Sequence, residues 1–348
     1  MYFRVRNLIL SLALLWIAAS PGQPNPFGFN QEPYSHAQRL VSVGSGRRLN
    51  IYCTGKGSPT VILDLGFGAP LISWGLVQPE IAENTRVCSY ERAGYGFSDP
   101  GPLPRSTRAI VDDLHALLTN AGERPPYVMV GHSMAGLDAL LYADLYPSEV
   151  SGIVLIDPLL PGWDEVVERM FPQFRLDGDR FIRSLAMCQN LAEKGELRTR
   201  SSTNKDCLPP QDPRFTAEVQ RARDATKQRP GYWSDLQSEA SNEDSADVLE
   251  LNSGRRDFGS TPLILLSAPL NASTYEAYRA TATQIATLAS ERTTFRQQVV
   301  DLSQRGIVCD VGDTGHFIQL DRPGIVLHAI RQVLHLTRSS ARPSCSGL

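Results

Sequence analysis

Short apolar runs bounded by turn residues alternate with longer stretches of helical periodicity over most of this chain. That alternation limits the fold more than any other feature. Residues 40–43 and 49–53 read as strands around the Gly44-Ser45-Gly46 turn, followed by strands at 60–65 and 86–90. Further strands are expected at 127–130, 150–156, 262–266 and 306–309, with helices over 106–120, 134–146 and about 323–336. In the first helix Ser106 or Thr107 can cap the N-terminus, and Ile110, Leu114, Leu117 and Leu118 share one face. Strands that alternate with helices predict a mostly parallel α/β sheet flanked by helices.

The alternation breaks between residues 159 and 260. Charged residues, prolines and scattered aromatics (Trp163, Phe171, Phe174, Phe181, Trp233) dominate there, with helical fragments such as 163–171. A structureless loop of that length inside a compact domain is improbable, so the segment reads as a helical insert. Its run SEASNEDSAD, 238–247, is expected to be a solvated loop.

Composition narrows the class of function. A net charge of −3 over 348 residues gives no field that would gather nucleic acid. The 42% hydrophobic and 20% charged content excludes global disorder. The length suggests about two domains by a rough prior of ~150 residues each.

The N-terminal segment has the form of an export signal. Arg4 and Arg6 precede the apolar run from Leu8 to Ala19, which is short for a bilayer-spanning helix of about 20 residues. Residues 1–22 are therefore expected to be a signal peptide or an N-terminal membrane anchor, and 23–37 a Pro- and Gly-bearing linker. Export permits disulfides. Six cysteines (Cys53, Cys88, Cys188, Cys207, Cys309, Cys345) allow 15 connectivities, and none has CxxC or His-flanked metal spacing. No metal site and no cofactor are expected, since no GxGxxG phosphate turn is present either.

The most informative stretch is Val128-Met129-Val130-Gly131-His132-Ser133-Met134-Ala135-Gly136. A strand ends, Ser133 sits on the turn, and an apolar helix begins. Such a turn strains the Ser backbone and projects its side chain above the sheet. Strand and helix pass closely, so the residues two either side must be small, as Gly131 and Ala135 are.

With that context the chain resembles the α/β-hydrolase family over about residues 38–336. Three further pieces carry the resemblance: Leu65-Gly66-Phe67-Gly68 is similar to the family's oxyanion loop, with Leu65 where His is common; Tyr90-Glu91-Arg92-Ala93-Gly94-Tyr95-Gly96-Phe97-Ser98-Asp99 is similar to its Gly-rich turn; and Gly312-Asp313-Thr314-Gly315-His316-Phe317 is similar to its C-terminal histidine loop. The resemblance implies an α/β-hydrolase fold with core residues 38–158 and 261–348 and a helical cap over 159–260. Trp163, Met170 and Phe171 are expected to pack in the core of the cap, with lining of the acyl pocket as the alternative.

The resemblance also implies roles. Ser133 is the expected nucleophile and His316 its base, because a Ser hydroxyl needs an adjacent base. His132 is expected to pack under the elbow. The residues after the strand at 262–266 hold no carboxylate, and Glu276 comes too late. Asp157, at the end of the strand closing in Val-Leu-Ile-Asp-Pro, is therefore the expected acid. The backbone N–H groups of Phe67 and Met134 are the expected oxyanion donors. Neighbouring strands in this fold imply a Cys53–Cys88 bridge, with Cys188–Cys207 inside the cap and Cys309–Cys345 tying down the tail.

A serine hydrolase acting on a small to medium carboxylic ester is the leading expectation, located outside the cytoplasm as a secreted, periplasmic or membrane-tethered protein. Its partner is the small-molecule ester, with no nucleic acid. Lipase, iminopeptidase, lactonase and C–C bond hydrolase activities remain open, as does a non-catalytic binding module of the same fold.

Overall fold

The computed structural model describes residues 28–242 and 257–347. The expected signal segment lies outside them. The strands are β1 (Leu40–Gly44), β2 (Arg47–Thr54), β3 (Thr60–Asp64), β4 (Val87–Tyr90), β5 (Tyr127–His132), β6 (Val150–Ile156), β7 (Leu263–Ser267) and β8 (Gly306–Asp310). They form one sheet in the order β1-β2-β4-β3-β5-β6-β7-β8. β1 and β2 are antiparallel to their neighbours, and from β4 onward all pairs are parallel.

Both faces of the sheet are covered. Alternate residues of each central strand point to opposite sides, as the two-residue period of a strand requires. Tyr127 and Met129 of β5, Ile153 and Leu155 of β6, and Leu263 and Leu265 of β7 enter one core. Val128 and Val130, Val154 and Ile156, and Ile264 and Leu266 enter the other. The first core is closed by α2 (Thr107–Ala121), α3 (Ala135–Leu145) and α8 (Ala282–Val300), the second by α1 (Gln78–Ala82) and α10 (Pro323–Leu336). Because both faces are buried, the strands read as continuous apolar runs rather than alternating ones.

Among the described residues, four helices lie between β6 and β7 before residue 243: α4 (Trp163–Met170), α5 (Gln173–Glu193), α6 (Ala217–Lys227) and α7 (Pro230–Asn242). A short α9 (Ile318–Asp321) precedes α10. The insert has its own apolar centre, with Leu185, Cys188, Leu197, Tyr232, Trp233 and Leu236 packed together against Tyr95 of the core.

Three disulfides join the pairs implied by the resemblance: Cys53–Cys88, Cys188–Cys207 and Cys309–Cys345. Cys53 and Cys88 lie directly opposite each other on the paired strands β2 and β4. Among the described residues, no helix is long and apolar enough to cross a membrane.

One expectation needs correction. Residues 238–242 are not solvated loop but the last turns of α7, and Glu239 is buried; the rest of that run, 243–247, lies outside the described residues. The 19-residue helix α8 has no counterpart in the sequence reading, because its apolar residues Ile285, Leu288, Val299 and Val300 do not form one strong stripe. Trp163, Met170 and Phe171 take the packing role expected of them and do not line the large cavity described below. Trp163 packs edge-on against Phe295 of α8, and Phe171 stacks between Tyr275 and Tyr278. These residues fasten the insert to the core.

Candidate active site

Ser133 occupies the junction of β5 and α3 with φ of 56°, a left-handed conformation that strains a non-glycine residue. The strain is held from both sides. The Ser133 N–H donates to the Ile156 carbonyl at 3.0 Å, and its own carbonyl accepts from Leu159 at 2.9 Å. Gly131 is required by the close passage of helix and strand, since a Cβ there would lie 2.2 Å from the Ala135 carbonyl oxygen. Gly66, in the loop after β3, is required for a different reason: its Cβ would lie 2.7 Å from that of Ser133. The loop thus passes directly against the serine.

Asp157 follows β6 with φ of 40°, and His316 precedes α9. The two meet through His316 Nδ1 and Asp157 Oδ2 at 2.7 Å. The other carboxylate oxygen accepts from the Ala268 N–H at 3.1 Å and from the Arg292 guanidinium at 2.6 Å. Burial pushes this carboxyl up. The hydrogen bond and charge of His316, then Arg292 and Ala268, outweigh burial and hold it below the usual carboxylate range. Asp157 is therefore a fixed carboxylate that orients the ring and favours a proton on Nδ1, leaving Nε2 as the basic nitrogen.

His132 braces the same loop from beneath. Its Nε2 lies 3.0 Å from the His316 carbonyl, and the two rings stand 4.7 Å apart. Since the carbonyl only accepts, Nε2 carries a proton and donates. Burial, then the neighbouring His316, lowers the His132 pKa to about 3, so the ring is neutral. The Gly315 N–H donates to Asp321 at 2.8 Å, which fixes the approach to His316.

The loop carrying Phe67 is clamped by Arg92 and Tyr95 of the Gly-rich turn that follows β4. Arg92 donates to the Leu65 carbonyl at 2.6 Å and to the Gly66 carbonyl at 3.2 Å. The Gly68 N–H donates to the Tyr95 hydroxyl at 3.1 Å. Leu65 cannot supply the hydrogen bond that a His would, and Arg92 holds the loop through its backbone instead. Arg92 is itself buried among Asp64, Asp138 and Glu239, at 3.6, 3.4 and 3.3 Å. Three carboxylates around one guanidinium cannot all stay ionised cheaply. Burial raises the pKa of Asp64 to about 6 and moves Asp138 and Glu239 in the same direction. Glu239 comes from α7 and accepts from the Tyr95 hydroxyl at 2.6 Å, so the insert is bonded to the same clamp that holds the loop.

A cavity of about 500 Å³ lies between insert and core. Phe67, Phe181, Leu185, Tyr232, Trp233 and Leu236 form much of its apolar wall. Its lining includes the 65–69 loop but not Ser133, Met134, Asp157 or His316; Gly66, which passes against Ser133, is its nearest approach to them, and the cavity extends away toward α6. A volume of this size suits a small to medium organic ligand.

Of the residues singled out from sequence, Asp157 and His316 are joined directly, and Ser133, Gly131, Gly66 and Phe67 lie on the adjoining turns. Met134 is the N-cap residue of α3, directly after Ser133. Arg92, Tyr95, Glu239 and Arg292 were missed, since none belongs to the catalytic-residue types at a diagnostic spacing. The site offers a hydroxyl on a strained turn and an imidazole oriented by a carboxylate.

Comparison with known proteins gives the same lineage. The family model described as alpha/beta hydrolase fold matches residues 59–323. A Bacillus subtilis protein, "Uncharacterized protein YbdG", is 29% identical over 118 residues, which are 33% of this chain and 36% of that protein. The chain therefore spans about a third of that relative's length. The 2-hydroxy-6-oxo-2,4-heptadienoate hydrolase of Pseudomonas putida is 29% identical over 199 residues, 54% of this chain and 70% of that enzyme. Among solved structures, the epoxide hydrolase CorEH without ligand superposes with a TM-score of 0.61 at 17% identity, covering 85% of this chain and 97% of that one.

Proposed function

This chain belongs to the alpha/beta-hydrolase family, and on that footing we propose that it is a serine hydrolase cleaving a small to medium carboxylic ester through an acyl-enzyme intermediate. The observation that carries the reading is the 2.7 Å contact between His316 Nδ1 and a doubly anchored Asp157 carboxylate, in a chain whose Ser133 sits strained on the β5–α3 turn. Ser133 Oγ attacks the ester carbonyl while His316 Nε2 takes its proton. The tetrahedral oxyanion is held by the N–H groups of Phe67 and Met134. His316 then protonates the departing alcohol, and water enters with His316 again as base to release the acid. Asp157 keeps the imidazole in the productive tautomer and stabilises the imidazolium without taking the proton.

The serine itself bears on the choice among relatives. Epoxide opening on this fold uses a carboxylate nucleophile, and position 133 holds a hydroxyl. C–C bond hydrolysis remains the second reading, favoured by the 29% identity to the Pseudomonas putida enzyme over 70% of its length. The test is pre-steady-state hydrolysis of 4-nitrophenyl esters of graded acyl length, with amide and lactone controls. Ester cleavage with a burst of one nitrophenolate per chain, abolished in Ser133→Ala, is expected. Cleavage that persists unchanged in that variant, or none of any ester, overturns the ester reading.

A further inference from the structure

The far end of the 500 Å³ cavity is not apolar. Where the wall passes from α5 and α7 to α6, it is completed by Gln220, Arg223, Thr226 and Lys227. Arg223 and Lys227 stand four residues apart on one helix and so share a face.

Lys227 is unusual in its surroundings. It lines the cavity and is half-buried. Among the described residues, no carboxylate lies within ion-pair distance of its ammonium group. The charges that reach it are those of Arg223, Asp224 and Arg200. Asp224 is already engaged at 2.6 Å by Arg200, and the nearby Arg214 is held by Asp212 at 2.6 Å. Asp206, Asp212 and Arg214 complete the charged lining at this end. Burial, followed by the like charge of Arg223, pushes the Lys227 amine down to about 7. A partly desolvated cation without a counter-ion is costly, and an anion entering the cavity would relieve that cost.

We propose that this end of the cavity is an anion subsite built on Lys227, and that the preferred substrate carries a carboxylate at the end of its acyl arm remote from the scissile ester. The apolar wall of Phe181, Leu185 and Trp233 takes the methylene arm between the two polar ends. The inference deepens the serine-hydrolase reading and rests on it for the position of the scissile bond.

Binding and turnover are measured separately, so that either idea can fail alone. Calorimetry on the Ser133→Ala protein compares monomethyl esters of dicarboxylic acids, from succinate to suberate, with the matching dimethyl esters. At least one monoester is expected to bind ten-fold or more tightly than its diester. Lys227→Gln is expected to bring that ratio near one, and Lys227→Arg to retain most of it. Equal binding of monoesters and diesters at every length overturns the subsite, as does a preference that survives in Lys227→Gln. On the wild-type chain, mono-4-nitrophenyl esters of the same diacids are compared with neutral 4-nitrophenyl alkanoates. Turnover without carboxylate preference sinks the subsite and leaves the hydrolase standing. Carboxylate-selective binding with no turnover does the reverse.

Discussion

Each side chain at this site works through a specific partner. Asp157 has both oxygens committed, one to His316 and one to Ala268 and Arg292. Asp157→Asn keeps the size but presents an amide to the imidazole and favours the wrong tautomer. Turnover is expected to fall by about four orders of magnitude with folding retained, measured as kcat alongside a circular dichroism melt. His132 gives a pH signature of a different kind. Its folded-state pKa of about 3 lies below the unfolded value near 6.5. The unfolded chain therefore binds the proton first. The stability this neutral ring contributes is complete above about pH 6.5 and is lost as pH falls toward 3. Denaturant midpoints of the wild type and His132→Gln should differ most near pH 7 and converge by about pH 4. A constant difference across that range contradicts this account of His132. The motif residues were legible because catalysis fixes residue type and spacing together. Arg292 was not, since any cation on any element reaching Asp157 would serve.

Secondary elements explain where legibility stops. β3, β5, β6 and β7 announce themselves because burial on both faces demands unbroken Val, Ile and Leu. The insert announces itself only as a helical segment with a helix near 163–171; its other helices and α8 do not, because they bury only parts of their surfaces and carry many charges. The 238–247 run illustrates this: its polar composition suggests solvent, yet Glu239 is buried against Arg92 and Tyr95. A charged residue can be internal when its partner comes from a distant part of the chain, which one-dimensional patterning cannot register. Through this contact α7 is bonded to the residues that hold the oxyanion loop. Glu239→Ala is expected to release Tyr95 and Arg92 and lower kcat about 10- to 100-fold, part of the loss seen when an oxyanion donor is removed outright. KM should change less. Glu239→Gln, which still accepts from the Tyr95 hydroxyl, should recover most of the rate. Equal loss in both variants would mean that the charge of Glu239, and not its hydrogen bond, is what the loop needs.

At the level of the whole molecule the chain is one sheet-centred core with a helical insert, and its disulfides divide along the same line. Cys53–Cys88 and Cys309–Cys345 staple the core, closing separations of 35 and 36 residues, while Cys188–Cys207 closes 19 within the insert. Chain-entropy arithmetic gives about 3–4 kcal/mol for each. Three bridges fit an extracellular or otherwise oxidising compartment. Replacing Cys188 and Cys207 together with Ser should raise amide exchange across α5 and α7 while leaving β5 and β6 protected. Uniform loss of protection would show that insert and core unfold as one unit. The length that first suggests two domains is accounted for by this insertion, which interrupts the core between β6 and β7.

The central claim is that Ser133 is a nucleophile activated by His316 and Asp157. Labelling the folded protein with a fluorophosphonate probe and mapping the adduct by peptide mass spectrometry tests it most directly. The account predicts one adduct, on Ser133, lost in Ser133→Ala and strongly slowed in His316→Ala. A well-folded protein that takes up no probe, or takes it up at a residue other than Ser133, contradicts it.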